Sequence, residues 1–278
     1  MKKIIAAFDG LRFSDSTLEY SIYLAKQFNA HIVGVFLSES TKLSYAIYEL
    51  MVEQSAAGVA LSDEIDKSDA ASMKDSVRRF EQACHESKLN FTVHQDKKEA
   101  ANELLHETVF ADLLIIDANE TFSYLEAGIP GGFLKRILHD AQCPVMVVPK
   151  EFKPFQKLAL LYDGEPSSVF AIKMLGYILP EMTSLETTLF HAQESNSALR
   201  LPDNKLMREW IKKHFPKVEY RLVKGKEKEL IAALSGEDPG MLIVTGAYHR
   251  SNMSMWLHTS MADLLINEIK SPLFIAHR

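Results

Sequence analysis

At 278 residues the chain is too long for one ordinary compact α/β unit and fits two units of about 140 residues. Hydrophobic residues make up 47% of it and charged residues 24%, a balance that supports packed cores and excludes a disordered or fibrous chain. The net charge of −6 excludes a general attraction for nucleic acid, and no apolar stretch approaches the roughly 20 residues that cross a bilayer. Neither nucleic acid nor a membrane is an expected partner.

Lys2 and Lys3 precede an apolar run at 4–8 that Asp9 and Gly10 stop too early for a secretory leader. Cys84 and Cys143 lie far apart without paired spacing, so the expected compartment is the reducing cytoplasm. Residues 4–8 read as a strand that ends in an Asp-Gly turn, with Ser14 placed to cap a helix. A second strand follows at 31–37. Met73, Val77, Phe80 and Cys84 make the apolar stripe of a helix, 91–94 a weaker strand, and Leu104, Leu105 and Val109 mark another helix. Residues 113–116 are a buried strand and 144–148 the last strand of this half, with Cys143 read as a small core residue at its entry. Pro149 and Pro154 flank a polar stretch that sets the boundary between domains 1–150 and 151–278.

The same order then recurs. Residues 158–162 lead into Asp163-Gly164, with Ser167 and Ser168 close behind. Strands at 187–192, 218–223 and 241–245 alternate with helices at 206–215 and 229–234, and 272–276 closes the chain. Trp210 lies on an amphipathic helix and reads as core. The Asp-Gly turns at 9 and 163 stand 154 residues apart, the late prolines at 144 and 272 only 128, so the first copy is about 26 residues longer. The extra length falls at about 38–69, where Ile47, Leu50 and Met51 share a helical face that covers the first crevice or meets another subunit. Strand and helix alternation predicts, in each copy, an open, mostly parallel five-stranded sheet with helices on both faces.

The βαβαβ order, the acid closing the first strand and the strand-loop-helix-Pro-strand ending resemble the universal stress protein family in its tandem form, with an adenine-nucleotide-hydrolase-like fold. The resemblance covers nearly the whole chain outside 38–69. Its most specific motif is a loop, Gly-x2-Gly-x9-Gly-Ser/Thr, between the fourth strand and the last helix. Glycines let backbone approach phosphate, and a helix N-terminus offers it free N–H groups. In the second copy the spacing runs from Gly246 through His249 to Thr259 and Ser260, so two glycines give way to residues with a Cβ, while Arg250, His249 and His258 supply donors. The resemblance implies that Asp163 and Ala192 line the adenosine side and Gly246 and Ser260 the phosphates. In the first copy Asp117 replaces the first glycine, Glu120 and Glu126 add negative charge, Pro130 removes a donor, and Gly131 and Gly132 come one residue late. With Asp9 these make a weaker, degenerate site. Residues 1–150 hold 15 Lys/Arg against 22 Asp/Glu and 151–278 hold 16 against 15, so the second copy is the less hostile to an anion.

Plainer readings stand beside these. Asp9 and Asp163 are also ordinary turn residues, and Ser260 and Gly132 ordinary helix-start residues. His249 and His258 lack short metal-ligand spacing, so no metal is expected. Trp256, in the loop, is placed to stack on a base or a partner. The leading expectation is a non-enzymatic stress-response protein that binds ATP, ADP or a related anion in its second domain and requires no cofactor. The alternative is an interaction scaffold that has lost nucleotide binding in both domains. By resemblance, residues 145–148 and 273–276 pair as an internal pseudo-dimer, and protein partners are unnamed. An enzyme is disfavoured, because the chain has no phosphate-binding Gly-x4-Gly-Lys-Ser/Thr, Gly-x-Ser-x-Gly or His-Glu-x-x-His motif.

Overall fold

A computed structural model of the chain describes residues 1–37, 56–96, 100–119, 130–194, 199–237, 240–246 and 261–277, the side chains of 56–66 and 96 excepted. Compactness divides it between Gln142 and Cys143 into two units, each α/β.

In the unit Lys2–Gln142, the strands β1 (Lys3–Asp9), β2 (His31–Leu37), β3 (Phe91–Asp96) and β4 (Leu113–Asp117) lie in the order β3-β2-β1-β4. All are parallel, in a register that aligns Ile5 with Val33 and Leu114, and Val33 with Thr92. The helices are α1 (Asp15–Phe28), α2 (Ala56–Glu86), α3 (Ala100–Thr108) and α4 (Gly132–Asp140). β1 and β4 are apolar on both faces because helices cover both, and Ile4 to Phe8 and Leu113 to Ile116 are fully buried. The stripe Met73, Val77, Phe80 and Cys84 is buried as its spacing predicts. Its helix starts at Ala56, however, so the second part of the extra segment is helical and continuous with it. Val109 lies beyond the end of α3 and is 54% exposed, which corrects its reading as a helix-stripe residue.

In the unit Cys143–Arg278 the order is β5-β10-β9-β6-β7-β8, from β5 (Val145–Val148), β6 (Lys157–Leu161), β7 (Glu186–Gln193), β8 (Val218–Lys224), β9 (Met241–Gly246) and β10 (Leu273–Ala276). Among the described strands of this unit only β5 runs antiparallel to β10, pairing Val147 with Leu273 and Val145 with Ile275. The two expected last strands therefore meet, and this pairing draws β5 into the second unit although chain order makes it the end of the first copy. The helices are α5 (Pro166–Ile178), α6 (Asn204–His214), α7 (Glu227–Ser235) and α8 (Met261–Glu268). Cys143 is buried as expected. Trp210 is only half-buried and Leu206 is 68% exposed, so Trp210 is not core: Met207, Ile211 and Phe215 supply the inward face of α6.

From β1 the chain steps outward through β2 and β3 and then returns to β4 on the other flank; β6, β7, β8 and β9 repeat the reversal. Neighbouring loops diverge where such a reversal occurs, leaving a crevice at the carboxyl ends of β1 and β4, and of β6 and β9. No helix among the described residues is long and apolar enough to cross a membrane.

Candidate functional site

The second crevice lies between the ends of β6 and β9. Two residues past β6, Asp163 receives the Glu165 N–H at 2.8 Å on Oδ1, and the Ser168 Oγ lies 2.7 Å from the same oxygen. This holds the carboxylate over the first turn of α5. Gly164 adopts φ +95°, a conformation that favours glycine, and a Cβ there would sit 2.9 Å from Pro202 Cβ. Across the crevice Gly246 closes β9. A Cβ at this position would approach the Ser167 carbonyl carbon to 2.9 Å, its oxygen to 3.0 Å and the Ser168 nitrogen to 3.1 Å. Those atoms are helix backbone and cannot step aside, so only glycine lets β9 end this close to the N-terminus of α5.

Ala192, half-buried near the end of β7 and paired with Val223, forms the third side of this edge. Beside it the buried His191 carries its proton on Nδ1, because its 2.8 Å partner there is the carbonyl oxygen of Tyr162, which can only accept. Tyr162 donates its hydroxyl to the Pro202 carbonyl at 3.3 Å; burial, then the charges of Asp203 and Asp163, raise its hydroxyl pKa. The structure thus brings Asp163, Ala192 and Gly246 to one sheet edge. His249, Arg250, Thr259 and Ser260 lie outside the described residues, as do His258, Trp256, Glu120, Glu126 and the segment 38–55.

The first crevice is wired differently. Asp9 closes β1 and accepts the Leu11 N–H at 2.8 Å; burial pushes its carboxyl above the usual range, against the pull of that bond and of Arg12. Asp117 stands at the end of β4, at the place Gly246 holds on β9. Its Oδ2 accepts the hydroxyl of Ser14, the N-cap of α1, at 2.8 Å, and its Oδ1 accepts both the N–H and the Nδ2–H of Asn119 at 2.8 Å. A carboxylate belonging to the chain itself therefore occupies the mouth of α1. The side chain of Met73 lies where a Cβ on Gly10 would be, and Ser76 donates to the Gly10 carbonyl at 3.0 Å, so α2 packs on this turn. Gly131 is the N-cap of α4, with extended backbone and no side-chain cap, and Gly132 is the helix's first residue.

Sequence reasoning missed that Ser14 and Ser168 are site residues. The signal was present, since each stands four residues after an Asp-Gly turn. His191 and Pro202 carried no such mark.

Among curated proteins none matches this chain. Among solved structures, a universal stress protein from Archaeoglobus fulgidus DSM 4304 matches with a TM-score of 0.70 at 15% identity, over 99% of this chain and 96% of its own. Two proteins from Pseudomonas aeruginosa, strains UCBPP-PA14 and PAO1, each match with a TM-score of 0.60, at 13% and 12% identity, over 99% of this chain and 92% of theirs. At such identities the likeness is one of fold. Residues 1–149 match the Universal stress protein family itself, more than half of the chain. With two copies of the α/β order and the repeated Asp-Gly turn, the chain belongs to the Universal stress protein family.

Proposed function

We propose that this chain is a stress-response protein of the reducing cytoplasm that binds an adenine nucleotide, ATP or ADP, or a related anionic ligand in its second copy, without catalysis. The observation that carries this reading is the contrast at one position: Gly246 brings no side chain to the end of β9 beside the N-terminal turn of α5, where the carboxylate present is that of Asp163, whereas Asp117 adds a second carboxylate at the corresponding mouth of α1. Unit charges of like sign about 4 Å apart repel by about 4 kcal/mol at an effective dielectric near 20, enough to turn phosphate away from the first copy. In this reading Asp163 and Ala192 face the adenosine portion, and Gly246, His249, Arg250, Thr259 and Ser260 the phosphates. The copies run 1–150 and 151–278, and β5 with β10 joins them as an internal pseudo-dimer; that pairing satisfies two strand edges that would otherwise recruit other chains.

The test is mass spectrometry of small molecules released from the purified protein, followed by calorimetric titration with ATP and ADP. Gly246→Asp and Ser260→Ala are expected to weaken binding at least about tenfold, a loss of about 1.4 kcal/mol. Ser260→Ala adds no bulk and keeps the test valid if Gly246→Asp unfolds. Absence of binding at millimolar nucleotide refutes the reading.

A further inference from the structure

The dipeptide Asp-Gly occurs twice in the chain, at 9–10 and at 163–164. In this pairing an aspartyl carboxyl is readily attacked by the next backbone nitrogen, because glycine puts no side chain beside that nitrogen and leaves the chain free to close a five-membered ring. Duplication has set the same dipeptide in two surroundings, so the fold decides which of them reacts.

At 9–10 the fold blocks the reaction. The buried Gly10 donates its N–H to the Leu37 carbonyl at 2.8 Å, and Ser76 donates to the Gly10 carbonyl at 3.0 Å. The side chain of Met73 fills the space beside Gly10, so the turn has no room to pucker. Burial raises the Asp9 carboxyl pKa and so favours the neutral acid that loses water, yet the nitrogen it has to meet is committed elsewhere. At 163–164 these restraints are gone. Among the described residues no acceptor stands within hydrogen-bond distance of the Gly164 N–H, and only Pro202 lies within 4 Å of a Cβ placed on Gly164. Asp163 is exposed, so water leaves and returns freely. Its Oδ1 accepts the Glu165 N–H at 2.8 Å, with the Ser168 Oγ 2.7 Å away, which draws electron density from Cγ. Its Oδ2 has no hydrogen-bond partner among the described residues.

We propose that Asp163-Gly164 is a site of spontaneous isoaspartate formation in the folded protein, and that Asp9-Gly10 is protected from it. The Gly164 nitrogen bonds to Asp163 Cγ and the Cγ–Oδ2 bond breaks. Oδ2 leaves as water, taking the amide proton and one proton from solvent, and a succinimide remains. Water then adds to one of the two ring carbonyls. Opening at Cγ restores aspartate; opening at the main-chain carbonyl of Asp163 leaves that carbon as a free carboxylate and routes the backbone through Cγ. The isoaspartate lengthens the chain by one carbon and moves the carboxylate away from the sheet edge. On the nucleotide reading of this crevice, on which this last step alone rests, aged chains therefore lose ATP binding.

The experiment incubates the purified full-length protein for weeks at physiological temperature and neutral pH, then digests it with trypsin. Isoaspartate is read in the peptides 158–173 and 4–12 by electron-transfer fragmentation and by methyl transfer from S-adenosylmethionine with an isoaspartyl methyltransferase. It is expected to form in 158–173 at least about tenfold faster than in 4–12, the factor that a barrier difference of about 1.4 kcal/mol produces. In urea, where neither pair is held by the fold, the two peptides are expected to react alike. Asp163→Glu, whose carboxyl is one carbon too far for the five-membered ring, is expected to remove the 158–173 signal. Equal rates in the folded protein, faster reaction in 4–12, a contrast that persists in urea, or no isoaspartate in folded 158–173 when urea-treated chains form it would each overturn the proposal. Calorimetric titration of fresh and aged protein with ATP tests the last step: sites per chain are expected to fall in step with the isoaspartate fraction. Fresh protein that binds ATP and still binds it fully after conversion overturns that step. Fresh protein that binds none counts against the nucleotide reading, while the peptides alone judge the isoaspartate.

Discussion

Ser14 donates its hydroxyl to Asp117, 103 residues away in sequence, across 2.8 Å in a buried pair, while its counterpart in the second copy, Ser168, stands 2.7 Å from Asp163 and 2.8 Å from the Glu165 carbonyl, which share its one proton. The same serine thus serves two different carboxylates. In the first copy it fastens an acid over the start of α1; in the second it fastens the acid after the first strand and leaves Gly246 bare. One substitution, acid for glycine at the end of the fourth strand, rewires the crevice.

The two serine bonds should differ in what they contribute. Removing Ser14 leaves Asp117, only 8% exposed, short of a donor and takes away the α1 cap. Removing Ser168 leaves Asp163 exposed to water that replaces the hydroxyl. Ser14→Ala is expected to cost about 1–3 kcal/mol and Ser168→Ala about 0.5–1.5 kcal/mol, measured by urea unfolding. Equal costs would contradict the burial argument.

Asp9 supplies a pH dependence of unusual sign. Burial raises its folded-state pKa, so between its unfolded and folded values the native state holds the extra proton and stability falls as pH rises through that window. Asp9→Asn keeps an oxygen for the Leu11 N–H and removes the charge. It should raise the melting temperature at pH 7, with the gain shrinking as pH falls below the ordinary carboxylate range. A gain that grows on acidification would show the carboxyl is not destabilised by burial.

Two glycines should respond oppositely to alanine. At Gly246 the new methyl meets helix backbone at 2.9 to 3.1 Å, so Gly246→Ala is expected to destabilise by about 1–3 kcal/mol. At Gly176, inside α5, the nearest atom is Thr183 Cγ2 at 3.8 Å, and Gly176→Ala should stabilise by about 0.4–1 kcal/mol. Chemical denaturation of both variants against the parent checks the pair.

Cys84 is buried and its thiol is pushed up to about 12 by desolvation; Cys143 is buried as well. Neither should react with a disulfide reagent at pH 8 in the native state, and both should react in urea, followed by the release of the coloured thiol. Prompt labelling of the folded protein would count against this packing.

Most of the fold was legible because apolar runs and stripes carry it: the interior of β1, the stripe Met73 to Cys84 and the Asp-Gly turns at 9 and 163 all stand in the structure where periodicity puts them. What failed did so for a physical reason. Val109 falls past the end of its helix and Trp210 is only half-buried, and hydrophobicity alone does not say where a helix stops or which side of it is covered. The Ser14–Asp117 bond joins the start of one helix to the end of a distant strand, which local spacing cannot show. The glycine at 246 was readable as a motif position, but the reason for it, the backbone of Ser167 and Ser168, belongs to tertiary packing.

The central claim is that the copies are unequal, with one working crevice per chain. Calorimetric titration of the full-length protein with ATP tests it most directly: the account predicts about one site per chain, abolished by Gly246→Asp and unchanged by Ser14→Ala. Two sites per chain, none, or a single site that survives Gly246→Asp but is lost in Ser14→Ala would contradict it.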